Sequence, residues 1–292
     1  MRVSWRINVT LLASIVSITC PFSFTYMMDN FQFNLPDAPK VRTFVGTGFV
    51  GSSTTFDSSD IGLFGDGRFI DKEGGITTYD WSDEIIRAAG GGDAAPERED
   101  DRGTFDGDAS HTGRLDEVFT VNSLSHIMGT DTYAEWEMDL YFKNDDVLYV
   151  TEDTASTDID LAIIERSGNN YIGIRGIVAG GTKENPNYVG DIKLYMQKNV
   201  VASYLGYSIN TTESSSSQEV YGTGISLAAF NTDSGNPFAG QELIGFQFYS
   251  EGTHNWGPDF QLLVNNDKLV PEPGIIIGVI IGASGLLGFR KK

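Results

Sequence analysis

Residues 134–142 read AEWEMDLYF, and the alternation in this stretch decides the fold class. Ala134, Trp136, Met138, Leu140 and Phe142 fall on one face of an extended chain, and Glu135, Glu137, Asp139 and Tyr141 on the other. Successive side chains of a strand point to opposite faces, so the pattern predicts a strand with one buried and one wet side.

Outward from that stretch, period two recurs in residues 41–50, 117–121, 147–151, 158–166, 171–179, 191–197, 200–209, 219–230, 243–250 and 259–264. About eleven strands spaced by roughly ten residues predict an all-β fold, a β-sandwich or jelly-roll-like single domain. Helix is scarce. The best candidate is 82–89, with Ser82 as N-cap, Asp83 and Glu84 in the first turn and Gly90 as the stop. Residues 90–114 are rich in glycine and charge and predict a long flexible acidic loop, and the serine-rich stretch 211–218 predicts a second.

A chain of 292 residues suffices for one large β domain with a real core. Its 34 glycines and 12% aromatics suit many turns between half-buried strands. The formal charge is −20. Between residues 26 and 270 only Glu272 is lost from the acids, while Arg2, Arg6, Arg290, Lys291 and Lys292 are lost from the bases, leaving 39 against 15, or −24. Such a charge repels nucleic acid and anionic lipid and excludes both as partners. The one cysteine, Cys20, lies at the N-terminal leader, so the domain is expected to lack disulfides, thiolate nucleophiles and cysteine-based metal sites.

Both ends read as addresses. Residues 1–25 form an expected signal peptide, with Arg2 and Arg6 in a positive n-region and an apolar h-region over 9–18. Residues 270–292 fall into three blocks: Pro271-Glu272-Pro273, the apolar run 275–289, and the basic end Arg290, Lys291, Lys292. The prolines stiffen the break between domain and tail. The apolar run is an expected transmembrane helix, yet its 15 residues fall short of the about 20 a stable span wants. That favours a processing signal over an ordinary tail anchor.

In this order, at the C-terminus, the three blocks resemble the PEP-CTERM sorting signal of bacterial exosortase substrates. The resemblance is confined to Pro271, Glu272, Pro273, the apolar run and Arg290 to Lys292. It implies a precursor inserted transiently in the inner membrane, cut by an exosortase-type membrane enzyme, and delivered to the envelope, surface or extracellular matrix.

The domain's own chemistry is weighed residue by residue. Asp100, Asp101, Asp106 and Asp108, and separately Asp153, Asp158 and Asp160, are oxygen clusters of the kind calcium uses, though neither has EF-hand spacing, so no cofactor is assigned. His111, His126 and His254 are the only histidines, and Asp108, Ser110 and His111 sit too close together in one loop for a hydrolase triad. Glu135, Glu137 and Asp139 share a strand face at roughly 6.5 Å spacing, which a glycoside hydrolase could use if a cleft lay above them. Tyr79, Trp81, Phe246, Tyr249 and Trp256 are candidates to stack on sugars, with Trp256 foremost as a ligand contact. Asn8 and Asn210 stand in N-x-[ST] sequons. No catalytic set emerges. The expectation is an exported, non-enzymatic surface protein of structural or adhesive type, with extracellular polysaccharide as a candidate partner. A carbohydrate-binding module or secreted glycan hydrolase is the alternative.

Overall fold

The alternation of residues 136–142 places Trp136, Met138, Leu140 and Phe142 in the core, and the rest of the chain builds two sheets around that strand. The computed structural model describes residues 42–45, 48–51, 56, 58–72, 75–83, 85–86, 96–97, 112–120, 127–128, 135–153, 158–198, 201–209, 218–230, 235–251 and 259–271. The signal segment 1–25 and residues 272–292, including Glu272, Pro273, the apolar run and Arg290 to Lys292, lie outside them. No described helix is long and apolar enough to cross a membrane.

In chain order, β1 (Arg42–Val45) and β2 (Gly48–Gly51) pair with each other, as do β3 (Phe64–Asp71) and β4 (Thr77–Asp80). Four two-residue strands follow, β5 (Ile85–Ile86), β6 (Pro96–Glu97), β7 (Thr112–Gly113) and β8 (Ile127–Met128), with helix α1 (Leu115–Phe119) between the last two. Next come β9 (Trp136–Phe142), β10 (Asp146–Tyr149), β11 (Leu161–Arg166), β12 (Tyr171–Thr182) and β13 (Asn185–Tyr195). The last five are β14 (Ser203–Ile209), β15 (Gln218–Ile225), β16 (Glu242–Ser250), β17 (Phe260–Val264) and β18 (Leu269–Pro271).

The larger sheet runs β13-β12-β16-β9-β3-β4, with β10 on β16 and β18 on β10. The smaller runs β17-β11-β15-β1-β2, with β14 on β15. Every strand pairing is antiparallel except β1 with β15. The protein is therefore mostly antiparallel β with little helix, as the alternation predicts.

The two sheets share one apolar layer. Phe69, Trp136, Met138, Leu140, Phe246 and Phe248 of the larger sheet join Leu161, Ile163, Ile225, Phe260, Leu262 and Val264 of the smaller. Phe260 sits at the joint, its ring 6.3 Å from Trp136 and 5.2 Å from Phe248. A second apolar cluster covers the opposite face of the smaller sheet, where Phe56, Ile61, Ile127 and Leu205 pack on Ala162, Ile164, Val220 and Leu263. Strands β11 and β17 are consequently buried at every position, so the wet side expected from period two over 158–166 and 259–264 is absent in LAIIER and FQLLV. The larger sheet keeps an open outer face.

The C-terminal end of the described chain is tied down on two sides. Lys268 Nζ donates to buried Asp160 at 2.6 Å, and Asp60 accepts from the Asn266 backbone N–H at 2.8 Å. Strand β18 then pairs with β10, placing Pro271 opposite Asp146. Proline lacks a backbone N–H, so it suits such a peripheral, exposed position. Strand pairing thus continues into the stretch assigned from sequence to the tail.

Three local expectations are corrected. Residues 117–121 do not extend a strand: residues 115–119 are helix α1, because Leu115, Val118 and Phe119 fall on one buried helical face. Glu117 also accepts the Arg114 backbone N–H at 3.3 Å, fixing the first turn. The expected helix 82–89 is absent over its described part. Asp83 Oδ2 instead accepts the Asp80 N–H at 2.9 Å to close a turn, and the β-branched pair Ile85–Ile86 joins β7. The run 41–50 divides into β1 and β2, which pair with each other.

Because Phe260 bridges the two sheets, Phe260→Ala is expected to cost about 3–5 kcal/mol of folding stability, read as a lowered urea midpoint. A loss below about 1 kcal/mol would show that the two sheets do not depend on this ring.

Candidate functional site

The open face of the larger sheet is built from alternate positions of five strands. Its central row runs in register from Arg68 on β3 through Asp139 on β9 and Gln247 on β16 to Arg175 on β12. Asp139 is only 1% exposed, although the sequence pattern places it on the wet side of β9. The reason is that its neighbours close over it. Arg68 Nε donates to Oδ2 at 2.8 Å, while the Tyr188 hydroxyl and Gln247 Nε2 each donate to Oδ1 at 3.0 Å.

The network continues sideways with one sense. Gln247 Nε2 also donates to the Tyr188 hydroxyl at 2.7 Å, and its Oε1 accepts from Arg175 Nη1 at 3.0 Å, so both ends of the amide are used. The Arg175 guanidinium lies 4.2 Å from the centre of the Tyr249 ring, a cation–π contact. Tyr249 in turn donates its hydroxyl to Asp191 on β13. Burial pushes the Asp139 carboxyl upward in pKa, and the Arg68, Tyr188 and Gln247 donors pull it back. Burial and the Asp139 charge push the neighbouring Tyr141 hydroxyl up to about 12. Burial, then the bond to Asp191, raises Tyr249.

The next row toward the β12 N-terminus holds Ile70, Glu137, Tyr249, Gly173 and Lys193. A depression of about 230 Å³ opens beside this row, lined by Tyr171, Gly173, Lys193, Tyr249 and Glu251 of the outer face and by Ile172 and Leu194, which also belong to the core. A Cβ at Gly173 would overlap the Tyr249 ring, so glycine is what lets that ring lie across β12. Tyr171 and Tyr195, cross-strand partners, stack with centroids 4.2 Å apart and planes 11° from parallel. They remain 48% and 37% exposed. Across the depression, Lys193 Nζ donates to Glu251 Oε2 at 2.7 Å, which lowers the Glu251 carboxyl and raises the Lys193 ammonium.

The structure brings together few of the residues singled out from sequence. Of the four candidate aromatics among the described residues, Phe246 is core, Tyr79 and Trp81 pack against the core, and Tyr249 reaches this face. Trp256, the three histidines, and Asp100, Asp101, Asp106 and Asp108 lie outside the described residues. Asp153 and Asp158 are exposed, whereas Asp160 is buried, accepting from Lys268 and from the Leu227 backbone N–H. Glu137 is held by Lys72 at 2.6 Å. Sequence reading missed Tyr171, Tyr188, Lys193, Tyr195, Arg175 and Gln247. The signal for most of them was the alternation Tyr171-x-Gly173-x-Arg175 opposite Asp191-x-Lys193-x-Tyr195 in adjacent strands.

Comparison with protein-family models, with characterised proteins and with solved structures finds no match to this chain.

Arg68→Ala leaves the buried Asp139 carboxylate without its cation and is expected to cost about 3–5 kcal/mol in a denaturant titration. A second test uses Glu165 in β11, fully buried, with no partner for Oε2 among the described residues and its pKa raised well above the ordinary range by burial and then by Asp259. The folded protein keeps that proton while the unfolded chain loses it from about pH 4.3 upward, so this group's contribution to stability falls as pH rises toward the folded-state pKa. Glu165→Gln removes that loss. Its stability relative to the parent is expected to be higher at pH 8 than at pH 5, and a difference independent of pH would refute the assignment.

Proposed function

We propose that this chain is an exported envelope or surface protein of structural or adhesive type. It presents one β-sandwich-like domain between an N-terminal signal peptide and a C-terminal sorting segment. The observation that carries the non-catalytic part of this reading is that the face carboxylates are occupied. Asp139 is bonded to Arg68, Glu137 to Lys72 and Glu251 to Lys193. A glycoside hydrolase needs one carboxyl poised to give a proton, with its pKa raised and its oxygen free to reach the leaving group. Glu251 is shifted the opposite way, and Asp139, though shifted upward, is enclosed by three donors.

The sorting part rests on the resemblance carried by Pro271-Glu272-Pro273, the run 275–289 and Arg290 to Lys292. Two cationic ends would hold both termini on the cytoplasmic side while the acidic domain crosses to the other. An exosortase-type membrane enzyme is the processing partner, and this chain is its substrate. No cofactor is proposed. The alternative of a carbohydrate-binding module gains one specific observation, the tyrosine-rimmed depression over Gly173.

In a host carrying the sorting enzyme, Pro271→Ala with Pro273→Ala is expected to leave residues 289–292 attached, whereas the parent protein loses them. Intact-mass spectrometry distinguishes the two. Removal of the tail from both proteins would end the sorting reading, and retention in both would favour a plain tail anchor.

A further inference from the structure

We propose that the depression over Gly173 is a saccharide site that takes one neutral hexopyranose ring of a polysaccharide, an inference that rests on the surface-protein reading above. Its size sets the first limit. At about 230 Å³ it is smaller than the roughly 300–1,000 Å³ typical of pockets that enclose whole drug-sized molecules. It holds one ring, with the rest of a chain passing over the open sheet.

The walls set the chemistry. Tyr195 covers one face of the Tyr171 ring, and Tyr171 lines the depression. Tyr195 is therefore a positioning residue that stands Tyr171 upright, leaving an aromatic face for the C–H edges of a sugar. As a cross-strand pair the two rings support the β12–β13 hairpin, and their exposure also leaves aromatic surface open to a ligand. Lys193 and Glu251 supply a donor and an acceptor at the rim, matched to the hydroxyl groups of a sugar.

Charge sets the last limit. The ions at the rim, Lys193 and Glu251, cancel each other, as do Arg175 and Asp191 in the neighbouring row, and the whole chain carries −20. A uronic or phosphorylated sugar would enter against that field with no unpaired cation among these rim residues to receive it. An apolar peptide side chain would leave the Lys193–Glu251 pair without hydroxyl partners. A neutral ring satisfies both the aromatic wall and the polar rim.

The test is calorimetric titration of the full chain with cellohexaose, laminarihexaose and mannohexaose, and with hexagalacturonate as the anionic comparison. At least one neutral oligosaccharide is expected to bind. Tyr171→Ala is expected to weaken that binding about tenfold or more, ~1.4 kcal/mol. Tyr195→Ala should weaken it less, and Tyr171→Phe should hold it within about twofold, because the ring face is kept. Tyr204→Ala, an exposed tyrosine on the smaller sheet, should leave it unchanged. Binding of hexagalacturonate alone overturns the neutral class, and neutral binding indifferent to Tyr171→Ala overturns the site. If none of the oligosaccharides binds while the tail is still processed, the saccharide inference falls and the exported-surface reading stands. If a bound oligosaccharide is shortened on incubation, as chromatography would show, the non-catalytic reading falls and the site stands.

Discussion

Asp139 is a charge in the middle of a sheet face, and the arrangement of five strands follows from the need to satisfy it. Removing a carboxylate from water costs several kcal/mol, recovered only when its oxygens are fully engaged by donors. Arg68 reaches it from β3, Gln247 from β16 and Tyr188 from β13, which is not adjacent to β9 in the sheet. The Tyr188 hydroxyl, met by Asp139 and Gln247 from the inner strands, therefore ties the outer strand to the centre. The bulge in β13 makes this geometry available. Gly190 adopts φ 68° between Tyr188 and Asp191, and a side chain there would collide with the Phe238 ring beneath. Past that point the alternation of β13 shifts, so that Tyr188 and Asp191 both point outward.

This polar row exists because the two sheets are covered unequally. Strands β11 and β17 of the smaller sheet are buried on both faces, between the shared core and the cluster around Phe56, Ile61 and Ile127. The larger sheet contributes one face to the core. Its other face must stay compatible with water across five strands, and it does so with interlocking ion pairs and tyrosines rather than with isolated charges. Exposed pairs such as Lys193 with Glu251 contribute little to stability on their own. Beside them the stacked Tyr171 and Tyr195 tie β12 to β13 as a cross-strand pair.

The fold class was legible wherever a strand has one wet side. Residues 136–142, 171–179 and 243–250 show it plainly, and their strands lie where the alternation puts them. Elsewhere a different constraint prevails. Strand β3 escapes notice because Gly65 and Gly67 interrupt its apolar residues and a register shift falls between Phe64 and Asp66. Residues 117–121 read as alternating because a five-residue stretch cannot distinguish period two from period 3.6 when three of its positions are apolar, and the helix falls on 115–119. Asp139 looked wet because alternation reports which face a residue occupies. Whether that face is covered depends on strands far away in sequence.

The candidate site was half legible, and the missing half is a matter of register. The turn at Lys183 and Glu184 joins β12 directly to β13 and pairs Thr182 with Asn185. Counting back from that turn brings Tyr171 opposite Tyr195 and Gly173 opposite Lys193 only if both register shifts are included, the one between Val178 and Thr182 and the one at the bulge beside Gly190. A slip of one residue would turn one tyrosine into the core and leave the other without its stacking partner. The place of the depression thus follows from local choices in one hairpin: a two-residue turn, the irregularity between Val178 and Thr182, an extra residue at the positive-φ Gly190, and a glycine at 173 where a side chain would meet Tyr249. The core fixes part of this, since it takes Ile172, Ile174, Ile192 and Leu194 on the inner side and leaves no room for a side chain at Gly190 against Phe238. It does not fix which side chains stand outward, and the Tyr171–Tyr195 stack beside the depression is the physical ground for treating this end of the open face as a site.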